Sequence, residues 1–520
     1  MSLAKKTLAA LACGLGLGAL VSAFSPGNFW IGWLLAGVLS AVGCFALISA
    51  WRWAGGGAFL AWMVALALLL RLGVGVALSL LLPEYGYDTE TQNAGYLFYD
   101  AYRRDMEAWE WARSGASAWL SFTQEVANDQ YGGLFFISVL VYRHLSPDAH
   151  RPFLILLLGA FTTAAGIPFF LRALRGRFTE RAARIATAVL VFYPDAFYIG
   201  AAQMREPFLL GLSAIAFWGL LSLAERRGKA LAALIASLAG MVIISSRIAI
   251  AVSGALALWY WLENLYPRSR AWRIAGLTAL GLGAVVITAT QWDWFRESAR
   301  LDLFINAMQS GRVQDALKNL GEEWRTPFMI VYGLAQPVLP AAIAEPTVPV
   351  WKVIAVVRAA GWYALAPLIL YAAFSAWFAR DEKRQGLMGW MAALVLVWIV
   401  VSSIRAGGDQ WDNPRYRLAL LPWIAVLVGW GVDRALVKRD LWLARWLLVE
   451  AIFVGFFTNW YFSRYFRNWN RLPFWENVVW ILGLSAAVLA SGFLWDAVSA
   501  ELRRRKRQSA AAPRGDSPLN

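Results

Sequence analysis

The sequence predicts an all-α polytopic membrane protein with about fourteen transmembrane helices and amphipathic or re-entrant helices on one face. Three observations carry the membrane class. Hydrophobic residues make up 59% of the 520 positions and charged residues only 16%, against about 25% charged in soluble domains. Apolar runs of about 20 residues, enough to cross roughly 30 Å of hydrocarbon, recur along the chain. Thirty Trp and 29 Phe suit a protein with many helix ends at membrane–water interfaces, where aromatic rings settle.

The apolar runs fall near 7–24, 29–50, 57–82, 152–172, 183–200, 206–223, 230–245, 248–264, 273–290, 350–378, 387–404, 417–432, 441–459 and 475–496. The first, after MSLAKK, fits either a cleaved signal peptide or a retained helix, and the span that follows at once favours retention. Lys and Arg crowd the segments 172–184, 225–229, 267–273, 380–384 and 433–440 and the RRRKR of the tail. The positive-inside rule puts these in the cytoplasm, with both termini, and the intervening segments outside. A single domain over 1–500 and a basic, disordered tail over 501–520 are expected. The candidate site is expected on the external face.

The net charge of +15 invites a nucleic-acid partner, but its clustering beside hydrophobic spans assigns it to topology instead. Membrane lipids are the expected surroundings. Two cysteines, both within apolar runs, exclude a disulfide framework, and two histidines are too few for a multi-histidine metal site.

The charged stretches on the external side are 83–151, 291–349, 405–417 and 459–476. The first is dense in acids and draws attention as the candidate catalytic loop. Two apolar pieces, 134–145 and 328–343, are too short to span and predict half-buried or re-entrant helices. If 98–113 is one amphipathic helix, Phe98, Tyr102, Met106 and Trp109 share a quadrant. Asp100, Arg103, Arg104, Glu107 and Glu110 then lie on the solvated side. Asp105 projects about 20° from Phe98 on the aromatic face, where desolvation would raise its pKa and suit it to general-base work. A structural pairing with a neighbouring arginine fits the pattern equally well.

Other external motifs are candidates too. Asn128-Asp129-Gln130-Tyr131 forms a polar turn before the 134–145 helix, with Asp129 also placed to cap it. Gln203-Met204-Arg205-Glu206-Pro207 opens a span with a charged pair at membrane depth. Asp412-Asn413-Pro414-Arg415-Tyr416-Arg417 supplies external arginines of the kind a phosphate or pyrophosphate needs. Arg464, Arg467 and Arg471 share a helical face within an aromatic belt, where lipid-phosphate contacts explain them as readily.

In these features the chain resembles the membrane glycosyltransferases of the GT-C fold. The nearest subtypes are the protein O-mannosyltransferase and aminoarabinose-transferase-like enzymes of the glycosyltransferase family 39-like superfamily. Their first external loop has an acid, an aromatic four residues on, a small residue and a glycine, matched by Asp105, Trp109, Ala112 and Gly115. Asp129 matches their second acid, although Gln130, Tyr131, Gly132 and Gly133 stand where that family has a basic residue and two prolines. Glu206-Pro207 and Arg415-Tyr416 match a later acid–proline pair and an Arg-Tyr pair.

The resemblance implies inverting transfer of a sugar from a polyprenyl-phosphate-linked donor to a lipid, glycan or protein acceptor. Asp105 would be the base, and Arg205, Arg415 and Arg417 would stabilise the departing phosphate. Asp129 and Glu206 would orient the acceptor or hold a divalent cation, Mg²⁺ or Mn²⁺ given the oxygen ligands. Tyr416 belongs with Arg205, Glu206, Arg415 and Arg417 in the expected substrate- and phosphate-binding set, and Asp100, Arg104, Gln130 and Tyr131 are secondary candidates. Two alternatives stay open: an O-antigen-ligase or polymerase-like enzyme, and a transporter or flippase of a lipid-linked substrate. The first usually carries its large loop late, and the second buries charge at mid-membrane.

Overall fold

The computed structural model describes residues 2–123, 132–309, 321–378, 385–466, 469–470 and 473–511. Most of these residues are helical, with no strand among them. Among the described residues, twelve helical segments are long and apolar enough to cross a membrane. In order these begin with α1 (Leu3–Ala23), α2 (Phe29–Trp53), α3 (Ala58–Tyr85) and α7 (Phe153–Arg175). Between α3 and α7 lie α4 (Glu90–Asn93), α5 (Tyr99–Ser114) and α6 (Gly133–His144). Next come α8 (Glu180–Phe192), α9 (Pro194–Gly200), α10 (Glu206–Leu221), α11 (Arg227–Ile244) and α12 (Ser246–Tyr260). The chain continues with α13 (Arg270–Gln309), α14 (Glu322–Ala335), α15 (Leu339–Ala344), α16 (Pro349–Phe378) and α17 (Gln385–Ala406). It ends with α18 (Asp412–Arg417), α19 (Leu421–Lys438), α20 (Leu441–Tyr465) and α21 (Phe474–Ala511).

Two of the fourteen expected spans depart from a simple crossing. The 183–200 run is the pair α8 and α9, bent by 44°. Pro194 explains the break: its ring disfavours α geometry at Tyr193, which is extended (φ −60°, ψ 118°). The 206–223 run is the 16-residue α10, shorter than a full crossing. The stretch expected as one short helix at 328–343 is two helices, α14 and α15, parted at Gln336.

Burial separates an inner bundle from a lipid-facing rim. The apolar windows of α7 and of α18–α19 are 78% and 83% buried, those of α20 and α13 only 6% and 0%. Helices buried all round form the centre, and those apolar toward the outside are left for lipid.

Side-chain contacts sort the connecting segments into two ends. At one, Arg175 donates to Ala54 O (3.2 Å), Arg177 to Leu221 O (2.9 Å) and Thr179 to Asp433 (2.7 Å), while Arg177 also pairs with Glu263. At the other, Gln203 donates to Pro152 O (3.1 Å), Trp351 to Gln92 (3.0 Å) and Asn413 to Gly333 O (2.8 Å). Among the described residues, the Arg-rich segments 172–184 and 433–440 lie at the first end and the described part of the acid-rich interval at the second.

The described residues between α3 and α7 pack as a small helical cap. Gly115 ends α5 in the left-handed conformation (φ 76°), a role that glycine fills without a Cβ clash. Arg143 of α6 donates to Trp111 O (3.0 Å), Ala112 O (3.2 Å) and Ala116 O (2.6 Å), placing a cation at the negative end of the α5 dipole. The α6 helix abuts the end of α11 so closely that a Cβ on Gly133 would lie 2.0 Å from Ile243 O. Gly133→Ala is therefore expected to push α6 outward and cost about 1–3 kcal/mol. A thermal melt of the detergent-solubilised variant that matches wild type would refute this packing constraint.

Candidate functional site

The site is built around α5. Its buried face is Ala101, Arg104, Asp105, Ala108 and Ala112. The three alanines let the helix lie close to its neighbours, so the two charged residues between them are drawn in. Asp105 is 1% exposed, as its place on the apolar face requires. Arg104, expected on the solvated side, is 5% exposed. The reason is a rotation of the buried face toward the alanines, which leaves Tyr102, Met106 and Trp109 half-buried.

Three residues from three separate segments converge on the Asp105 carboxylate. The Tyr96 hydroxyl donates to Oδ2 at 2.6 Å, the Tyr142 hydroxyl donates to Oδ1, and His150 Nε2 lies 2.8 Å from Oδ2. Burial, and then the charge of Asp105, push both phenols well above their ordinary pKa, so they remain protonated donors. The His150 ring stacks on Trp109 (centroids 5.4 Å, 24°) and meets Tyr142 edge-on at 5.0 Å. With the carboxylate oxygens filled as acceptors, Nε2 is the donating nitrogen and the lone pair rests on Nδ1. Nδ1 has no hydrogen-bond partner among the described residues and is not among their enclosed, unpartnered atoms. The His150 side chain is 18% exposed.

Arg104 carries the site toward a second cluster. Its Nη2 donates to Gln203 O and lies 3.8 Å from Met204 Sδ, immediately before Arg205 and Glu206. Glu206 Oε1 accepts from Arg415 Nε, and Arg415 Nη1 reaches Asp412 Oδ1 at 3.3 Å. The second Glu206 oxygen, Oε2, is buried with no partner among the described residues. Asp412 is within electrostatic reach of Asp409, Glu206 and Asp100, the last on α5. Arg405 lies over the Tyr416 ring at 5.7 Å. The Phe98 ring packs edge-on against Trp411 at 4.8 Å, so α5 touches both clusters.

A third group underlies Trp411. Arg358 lies 3.3 Å from its ring centroid, pairs with Asp195 at 2.5 Å and donates to Gln410 O at 2.7 Å. Tyr193 donates to the other Asp195 oxygen at 2.9 Å. Both charged side chains are essentially unexposed, and they tie the broken α8–α9 pair to α16 and the segment before α18. Sequence reading missed them because a lone charge inside an apolar run does not interrupt its hydropathy. It missed His150 because the partner lies 45 residues away; the one available signal was the rarity of histidine.

Among the sequence candidates, Asp105, Arg104, Glu206, Arg415, Tyr416 and Asp100 are brought to one end of the bundle. Arg417 is 1% exposed and donates to Gly333 O and, at 2.7 Å, to Gln336 O, with its guanidinium 4.0 Å from the Trp362 ring. Those contacts fasten the α14–α15 junction. Asp129, Gln130 and Tyr131 lie outside the described residues, as do Arg467 and Arg471. No group of three or more His, Cys, Asp or Glu side chains suited to a metal occurs among the described residues. Glu206, the described half of the expected metal pair, has one oxygen on Arg415.

No protein-family model matches the chain, and no curated protein or solved structure matches it.

The loop bearing His150 is pinned by Arg151, which is 1% exposed and donates to both Asp148 oxygens (2.7 and 2.8 Å) and to Ser146 Oγ (2.7 Å). The Arg151 hydrogen bond holds the Asp148 carboxyl below its usual range. A depressed folded-state pKa stabilises above the unfolded value, and that contribution disappears as pH falls through the folded one. Wild type should accordingly lose melting temperature below about pH 4 more steeply than Asp148→Asn. Parallel melting curves down to pH 2 would exclude this pair as the acid-sensitive clamp.

Proposed function

We propose that the protein is a membrane-embedded glycosyltransferase that uses a polyprenyl-phosphate-linked sugar and works at the external face of a bacterial inner membrane. The observation that carries this reading is the Asp105–His150 pair at the acid-rich end of the bundle, with α5 linking it to Glu206 and Arg415. A buried carboxylate holding an imidazole whose second nitrogen has no partner among the described residues is a proton-accepting centre. An arginine shared between two carboxylates nearby is a cation that an anionic leaving group can engage.

In this reading the polyprenyl tail stays in lipid and its phosphate meets Arg415, with Arg205 and Tyr416 beside it. Glu206 Oε2, buried and unpartnered, accepts from a hydroxyl of the sugar or the acceptor. The acceptor hydroxyl loses its proton to the Asp105–His150 centre as its oxygen attacks the anomeric carbon. The phosphate departs with the bonding pair from the opposite face, so the configuration inverts. The described residues assemble no metal set, and no step is routed through a metal.

The test is sugar transfer in vesicles reconstituted with the purified protein and a polyprenyl-phosphate-linked sugar. Asp105→Asn should insert and fold but transfer about 10²–10⁴-fold more slowly. Asp100→Asn, whose side chain is exposed on α5, should be milder. Undiminished transfer by Asp105→Asn would overturn the role given to that carboxylate.

One observation favours a second reading, a transporter or flippase of an anionic lipid-linked substrate. Arg71, midway along α3, is fully buried; only its Nη1 has a partner, Ala67 O at 3.0 Å, while Nε and Nη2 have none among the described residues. Charge at such depth commonly marks a substrate path. Movement of a fluorescent polyprenyl-phosphate lipid between leaflets without any acceptor, abolished by Arg71→Met, would support transport. Transfer without such movement would leave the enzyme reading alone.

A further inference from the structure

We propose that His150, rather than Asp105, is the group that takes the proton from the acceptor hydroxyl, and that Asp105 acts through it as a positioning residue. This rests on the transferase reading above. Asp105 cannot meet an incoming hydroxyl: it is 1% exposed, and Tyr96, Tyr142 and His150 occupy both its oxygens. Direct proton uptake at its carboxylate would need one of those donors to leave. The His150 side chain is 18% exposed, and its Nδ1 has no hydrogen-bond partner among the described residues. Its ring orientation is fixed by the Trp109 stack and the Tyr142 edge. A carboxylate that holds one imidazole nitrogen as a donor leaves the other as a basic lone pair and stabilises the imidazolium once formed.

The step balances. The acceptor O–H bond breaks and its proton bonds to Nδ1. The oxygen's electron pair forms the new bond to the anomeric carbon, and the phosphate leaves with the pair of the old one. The imidazolium, paired with Asp105, then releases its proton to water. Among the described residues, the titratable and charged groups around the ring are Asp105 and Arg104 on α5, Arg113 at 5.8 Å from the Trp109 ring, Tyr142 on α6, Tyr96, and Asp148 and Arg151 on its own loop. The two phenols stay neutral at physiological pH and Asp148 is neutralised by Arg151.

His150→Gln and His150→Ala in reconstituted vesicles test this. Both should lower kcat about 10²–10⁴-fold with donor KM little changed, and added imidazole should restore part of the His150→Ala rate. A readout that needs no turnover is ¹⁵N-histidine NMR: the chain has two histidines, so the signals lost in His150→Gln identify that ring. Its neutral form should be the Nε2–H tautomer, and Asp105→Asn should shift the tautomer balance. Wild-type-like kcat in His150→Gln, or an Nδ1–H tautomer in wild type, overturns the proposal while leaving the transferase reading standing. An absence of sugar transfer by wild type overturns that reading and this proposal with it.

Discussion

The placement of a carboxylate in the apolar face of an interfacial helix is the constraint on which this end of the molecule depends. An isolated buried carboxylate costs several kcal/mol even after local relaxation. A hydrogen bond to a charged group returns about 1.5–3 kcal/mol, so the donors from Tyr96, Tyr142 and His150 are of the size needed to offset it, and one alone is not. The need for all three dictates the local architecture. The segment before α5 must fold back to deliver Tyr96, α6 must pack alongside to deliver Tyr142, and the loop into α7 must be pinned to deliver His150. The Arg143 cap on α5 and the Arg151 clamp are the devices that hold the last two in place.

The α5 helix joins this cage to the second polar cluster. Asp105 faces the cage, Arg104 one residue earlier bonds the backbone at Gln203, and Phe98 at its start packs on Trp411. Because a helix is stiff, a displacement of the segment bearing Trp411 would be transmitted to Asp105 rather than absorbed. That segment is itself anchored to the broken α8–α9 pair through the buried Arg358–Asp195 contact. Removing one partner of such a pair leaves an uncompensated buried charge, so the pair fixes geometry more than it adds stability.

Sequence periodicity was sufficient for most spans and for the burial of Asp105, because both are properties of one contiguous segment. It placed Arg104 on the wrong face, since the aromatic residues were weighted above the alanines that actually let α5 approach its neighbours. The bend at Pro194 was visible as a proline within an apolar run, yet hydropathy averages across it. Asp195, Arg358 and Arg71 were invisible for the same reason: a single charge barely lowers the mean of a long apolar window, and only the fold says what faces it. The Asp105–His150 contact spans 45 residues and has no local signature at all.

The second cluster sets an electrostatic condition on the transferase reading. Arg415 already serves Glu206 and Asp412, and Asp409 and Asp100 add negative charge within reach of Asp412. A phosphate entering there must take Arg415 from one of its carboxylates or rely on the other cations present, Arg205 and Arg405. Asp412 is the contact that yields more readily, being longer (3.3 Å) and 46% exposed. Glu206 is only 14% exposed, so its loss of Arg415 would strand a charge away from water. Donor binding would then exchange Asp412 for phosphate while Glu206 keeps Arg415 oriented. In that reading the buried Glu206–Arg415 pair would serve as a fixed cradle, and the more exposed Asp412 would hold the place that the leaving group is to fill.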